Sequence, residues 1–277
     1  MTLMPSPPIR RATLSPYLRC LWGIVWREGL RFYQQRGRFI AALVRPLVWL
    51  LVFAAGFRAA LGLSITAPYE TYVLYEVYII PGLIGMIQLF NGMQSSLSLV
   101  YDREMGSMKV LLTSPLPRWY LLICKLLAGC AVSLVQVYIF LAISYAIGID
   151  LPLLGYLALA PTLIVTGLML GAIGMLLSTF IKQLENFAGV MNFVIFPAFF
   201  LSSALYPLWK MRESSELLYW LCALNPFTHA VEFIRFSLYL KFSIEAAGWT
   251  SLSLLIFLGA AIWAYDPQRG LDGAGRG

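Results

Sequence analysis

Apolar runs of about twenty residues, set apart by narrow islands of charge, dominate this chain and dictate its solvent. They fall at about residues 39–61, 77–99, 119–147, 153–181, 187–206 and 248–265. A helix needs about 20 mostly apolar residues to cross the hydrocarbon core. Of the 277 residues, 60% are hydrophobic and 12% charged, against about 25% charged in soluble domains. A soluble fold of this length cannot hide so much apolar surface, so the bilayer is the solvent. The expectation is an all-α membrane protein of six transmembrane helices. An N-terminal amphipathic helix at the interface and a partly embedded outer helical segment before the last span complete it.

The net charge of +7 follows membrane topology and carries no nucleic-acid signal. Arg10, Arg11, Arg19, Arg27, Arg31, Arg36 and Arg38 all precede the first long apolar run, which places the N-terminus in the cytoplasm by the positive-inside rule. With six spans both termini are cytoplasmic. The basic residues expected outside are Arg58, Lys210, Arg212, Arg235 and Lys241, and Arg45 lies within the first span. The first run is too long for a cleavable signal peptide and lacks a small-residue cleavage site. Cys20, Cys124, Cys130 and Cys222 form no C-x-x-C pair, so neither a structural disulfide nor a zinc site is expected.

The organisation read from this pattern has three parts. Residues 1–38 form a cytoplasmic arm and amphipathic helix, 39–265 the six-span domain, and 266–277 a cytoplasmic tail. In the arm, Leu18, Leu21, Trp22, Val25, Trp26, Gly29 and Tyr33 share a stripe while Arg19, Arg27, Glu28 and Arg31 face elsewhere, a pattern suited to the headgroup layer. Between spans two and three lies a charged island, about 100–116. Tyr101, Met105, Met108, Leu111 and Leu112 recur there at helical spacing among Asp102, Arg103, Glu104 and Lys109, and Pro115 and Pro117 end it. A short amphipathic helix held tightly between two spans can receive force from a soluble partner; an ordinary loop is the bland alternative. The segment 207–247 mixes charges with apolar stretches too short to cross, broken at Asn225-Pro226.

Few constellations carry chemistry. There is no G-x-x-x-x-G-K-[ST] loop, so any ATP is handled on a separate chain. His229 is the lone histidine, without a carboxylate cluster beside it in sequence; hydrogen bonding within the outer helices, beside Asn225 and Glu232, suits it better than catalysis or metal binding. No catalytic or metal-ligating residues are expected. Span two carries Gln88, Asn91, Ser95 and Ser98 at helical spacing. These either line a translocation pathway or hydrogen-bond between helices, and neutral side chains favour the second reading. Gly167, Gly171 and Gly174 form a small-residue face for close packing, against a helix of this chain or of a second copy. No span carries a carboxylate near its middle, which argues against an ion-coupled carrier. The competing functions are a membrane-embedded transferase and a non-transporting membrane anchor for a soluble partner.

With these features in place the chain resembles the ABC-2 family of ABC-transporter permeases, and within it the nodulation-oligosaccharide and daunorubicin exporter type. The run Arg103-Glu104-Met105-Gly106-Ser107-Met108-Lys109-Val110-Leu111-Leu112-Thr113-Ser114-Pro115 resembles the family's cytoplasmic segment, with Lys125 and Gly129 fitting the start of the third span. Asn225-Pro226-Phe227 is similar to its outer motif. The resemblance implies a permease subunit in the bacterial inner membrane that exports an amphipathic, lipid-like or saccharide substrate. It implies no cofactor on this chain, a separate ATPase subunit holding ATP and Mg, and a second copy of this chain or a similar permease. It makes Asp102, Arg103, Glu104, Met105, Gly106, Met108 and Lys109 the coupling helix. Trp22, Trp26, Arg27 and Arg31 then belong to a connecting helix that also touches the ATPase.

Overall fold

The computed structural model describes residues 14–34, 36–57, 67–70, 73–104, 116–181 and 183–264. Every regular element among them is a helix. These are α1 Leu14–Gln34, α2 Arg36–Phe57, α3 Tyr75–Glu104, α4 Arg118–Ala146, α5 Leu153–Phe180, α6 Leu184–Phe200, α7 Leu208–Ser214, α8 Glu216–Ala223, α9 Pro226–Leu238 and α10 Ile244–Ala264. Proline marks several starts: Pro117, Pro152 and Pro207 occupy the N-cap positions of α4, α5 and α7, and Pro226 opens α9. Proline suits these sites because the first turn has no use for its missing N–H.

Among the described residues four helices are long and apolar enough to cross a membrane: α3, α4, α5 and α10. The apolar stretches of α2 and α6, Ile40–Phe53 and Leu184–Phe200, are shorter. The fifth expected span therefore ends earlier than its hydropathy suggests. The helix stops at Phe200, and residues 201–206 turn back into the protein with Ser202, Ser203, Ala204 and Leu205 buried. The expected first span runs through Pro46 as one helix. Arg45 sits half-buried with its guanidinium 3.7 Å from the centre of the Phe90 ring on α3, a cation–π contact.

The core is built around α3, which packs against α2, α4, α5, α6 and α9. Of its apolar window 89% is buried, against 17% for the peripheral α10. Closeness to α5 is set by glycine: a Cβ on Gly92 would lie 2.8 Å from the Gly171 Cα, and one on Gly174 3.0 Å from the Gly92 carbonyl oxygen. The small-residue face of α5 thus finds its partner within the same chain. The outer segment is helical in three short pieces, broken at Leu224–Asn225 as its sequence suggests, and α9 packs against α3, α5 and α10.

Candidate functional site

The polar face of α3 is spent on its neighbours. Gln88, buried, donates from Nε2 to the Leu163 carbonyl at 2.7 Å and accepts from the Thr166 hydroxyl at 2.7 Å. Asn91, also buried, donates from Nδ2 to the Gln136 Oε1 on α4. Buried amides bonded in this way tie helices together, because leaving them unpaired in an apolar setting is expensive. Ser95 is different. It is half-buried and shares a small cleft with Asn91, Gln94, Ser98 and, from α1, Glu28 and Arg31. The amphipathic helix and the polar face of α3 therefore meet.

Helix α1 lies along α4. The Tyr120 hydroxyl donates to the Tyr17 carbonyl at 2.7 Å, and the two rings meet edge to face at 4.9 Å. Arg27 and Arg31 both pair with Glu28, at 3.1 and 3.7 Å. Trp22 and Trp26 stack on each other, exposed, and line an apolar groove of 820 Å³ with Ala128, Val132 and Val135 of α4.

Helix α3 continues through Asp102, Arg103 and Glu104. The rest of the expected coupling helix, Met105, Gly106, Met108 and Lys109, lies outside the described residues.

At the other end of α3 the outer motif forms a lock. Asn225 caps α9 by accepting from the Phe227 N–H at 3.0 Å, and its Nδ2 donates to the Ala198 and Leu201 carbonyls at 2.8 and 2.6 Å. One side chain thus starts α9 and satisfies the open end of α6. Pro226 supplies the preset first turn. Three carbonyls of the turn 201–206 are bonded from outside it. Besides the Asn225 bond to Leu201, Tyr75 donates to Leu205 and Tyr78 to Ser203, each at 3.0 Å. Arg235 donates to the Ser203 carbonyl as well, at 2.9 Å.

Arg235, expected on the outer side, is 2% exposed, paired with Glu232 and laid over the Tyr78 ring at 4.1 Å. Burial alone would lower its pKa, but Glu232 and the Tyr78 and Tyr69 hydroxyls outweigh that and hold it above the ordinary arginine value. Burial pushes the neighbouring Tyr69 hydroxyl up to about 12. The Glu232–Arg235 spacing of three, the one pair of opposite charges on this helix, was the available signal for their pairing. Lys241 bridges to Glu70 at 3.0 Å nearby. His229 hydrogen-bonds within the outer helices, to the Ala223 backbone of α8, and stacks on Trp249, ring centres 5.6 Å apart. Burial lowers its pKa against the opposing pull of the Ala223 backbone, Glu245 and Glu232.

Comparison with known proteins places this arrangement. Residues 19–239 match the ABC-2 type transporter family. The chain is 33% identical over 195 residues to "Probable multidrug ABC transporter permease YbhR" of Escherichia coli K12, covering 69% of this chain and 51% of that protein. It thus spans about half the length of that relative. It is 28% identical over 219 residues to "Putative transport permease ycf38" of Porphyra purpurea, covering 77% of this chain and 72% of that protein. The same-named protein of Cyanophora paradoxa is 28% identical over 229 residues, with 79% and 74% covered. The match runs from the amphipathic helix to the end of the outer helices, and the chain belongs to the ABC-2 type transporter family.

Proposed function

We propose that this protein is the transmembrane subunit of an ATP-driven exporter in a bacterial inner membrane, moving an amphipathic, lipid-like or saccharide substrate out of the cytoplasm. The observation that carries this reading is the family match across 19–239. The permease names of the relatives support it. So does the absence from this sequence of a phosphate-binding loop, which leaves ATP and Mg to a separate ATPase subunit. In this reading six helices cross, α2 and α6 being the short ones, and both termini are cytoplasmic. Two copies, or this chain and a similar permease, form the membrane unit.

The segment from Asp102 through Lys109 is the lever that the ATPase pushes, and α1, with Trp22, Trp26, Arg27 and Arg31, is a second contact. Gln88 and Asn91 brace the bundle, and Ser95, which shares with Asn91 the cleft beside Glu28 and Arg31, responds to movement of α1. The test is co-purification from mild detergent followed by reconstitution. A P-loop ATPase should accompany the chain, and reversing Glu104 and Lys109 together should uncouple ATP hydrolysis from transport with insertion intact. Uphill transport by the chain alone would overturn the reading, as would full coupling in the reversed variant.

A further inference from the structure

Two arginines lie over aromatic rings of α3, and they differ in how their charge is met. Arg235, over Tyr78, is paired with Glu232. Arg45 of α2, over Phe90, has no carboxylate, carbonyl or hydroxyl partner among the described residues. Stacking uses the plane of a guanidinium and leaves the N–H donors on its rim free. The side chain is half-buried, so part of it opens outward. Ala41, Val48 and Val52 stand four before, three after and seven after it, on the same side of the helix, and all three are exposed.

Depth makes the difference matter. Phe90 is two residues, about 3 Å, from the middle of the apolar span Tyr75–Tyr101. In the six-span reading given above, Arg45 therefore sits near the bilayer midplane, with about 15 Å of hydrocarbon on either side. A guanidinium left to lipid there is expensive. A second copy of this chain holds no acid that could neutralise it at that level. The acids of the long helices fall near their ends: Glu76, Asp102 and Glu104 on α3, Glu185 on α6 and Glu245 on α10, with none on α2, α4 or α5. An organic cation would be repelled, and a neutral headgroup would leave the charge uncompensated. A phosphate or carboxylate matches both the charge and the forked donors. An alkyl chain attached to it can lie on the exposed strip of Val48 and Val52.

We propose that Arg45 binds the acidic group, phosphate or carboxylate, of an amphiphile that lies along α2. In the transport reading, on which this rests, that amphiphile is the cargo, and the cargo therefore carries negative charge.

The full chain in neutral detergent is titrated, by native mass spectrometry, with hexadecyl phosphate, hexadecyl glucoside, hexadecyltrimethylammonium and phosphatidylglycerol, the last standing for a resident bilayer lipid. Hexadecyl phosphate should bind saturably and about tenfold more tightly than the others. Arg45→Gln should weaken it about ten- to hundredfold, the worth of a charged hydrogen bond. Arg45→Lys, which keeps the charge but not the fork, should recover part of that loss. Arg212→Gln, a charge of the outer segment, should bind like the parent. Hexadecyl phosphate should also stimulate ATP hydrolysis by the reconstituted complex with the ATPase, and should fail to do so through Arg45→Gln. If no amphiphile changes hydrolysis while Arg45-dependent binding persists, the anion site stands and the transport reading alone falls. The thermal midpoint of each variant without ligand verifies folding, and the headgroup preference of the parent decides the matter should a variant fail. Equal binding of the phosphate and the glucoside, preference for phosphatidylglycerol, or undiminished binding in a folded Arg45→Gln variant overturns the proposal.

Discussion

Replacing Gly92 by alanine tests how α3 is seated. The new Cβ would lie 2.8 Å from the Gly171 Cα, 2.9 Å from its nitrogen and 3.0 Å from the Leu170 carbonyl carbon. All three are backbone atoms of α5, and none can rotate away. Carbon pairs rest at about 3.5–4.0 Å, so α3 and α5 must part by roughly 1 Å, forfeiting a quarter to a half of the dispersion energy along the seam. Overpacking of this kind costs about 1–3 kcal/mol, and the better helix propensity of alanine returns at most about 1 kcal/mol. With two backbones in opposition we expect a net loss of about 2 kcal/mol. Gly171→Ala is the close control: its Cβ meets the Leu126 Cδ2 at 3.0 Å, a methyl that can turn, and the Gly92 Cα at an ordinary 4.0 Å, so it should lie within about 0.5 kcal/mol of the parent. Gly259→Ala, with nothing within 4 Å, should be neutral or more stable. The assay is equilibrium unfolding in mixed micelles, supported by thermal midpoints in mild detergent. Equal stability of the Gly92 and Gly259 variants would refute the close seat of α3 on α5.

Other perturbations probe the outer segment. Glu232→Gln strands the buried Arg235 and should destabilise by about 3–5 kcal/mol; Glu232→Gln/Arg235→Met should recover most of it, and a double variant no better than the single counts against the buried pair. Asn225→Ala should lose about 2–3 kcal/mol, one cap plus two carbonyl partners, with Asn225→Ser restoring about 1 kcal/mol through the cap alone; equal unfolding curves for alanine and serine would be incompatible with the cap. Because burial lowers the His229 pKa, the unfolded chain takes up its proton first as pH falls. The neutral histidine's advantage is present above the ordinary histidine pKa and declines below it. The drop in thermal midpoint between pH 7.5 and 5.5 should therefore be smaller in His229→Gln, and an unchanged drop contradicts it. A cysteine at Ser215 should be labelled from outside intact cells and one at Ser107 only after permeabilisation; the reverse pattern inverts the proposed topology.

Local signals made much of this fold legible. The runs expected at 119–147 and 153–181 became α4 and α5 almost residue for residue, because hydropathy and the prolines at 117 and 152 act within a few residues. The break at Asn225-Pro226 was readable for the same reason. What escaped was pairing across the chain. Nothing near Asn91 names Gln136 as its partner, and nothing near Tyr75 names a carbonyl 130 residues away. The early end of α6 escaped too, since Leu201–Tyr206 is nearly as apolar as the helix before it; the turn is held by donors from α3 and α9 that hydropathy does not register.

The thirty residues of α3 form a rod roughly 45 Å long at 1.5 Å per residue, and its tightest crossing, at Gly92, is off centre. About 26 Å of rod lie between Gly92 and Tyr75, and about 18 Å between Gly92 and Glu104. Tilt about that fulcrum sends the two ends in opposite directions, the Tyr75 end travelling roughly 1.4 times as far. Tyr75 and Tyr78 are fastened to the 201–206 turn, and that turn to Asn225 and Arg235, so under the coupling proposed above a rigid tilt begun at the Glu104 end would arrive enlarged beneath the outer helices.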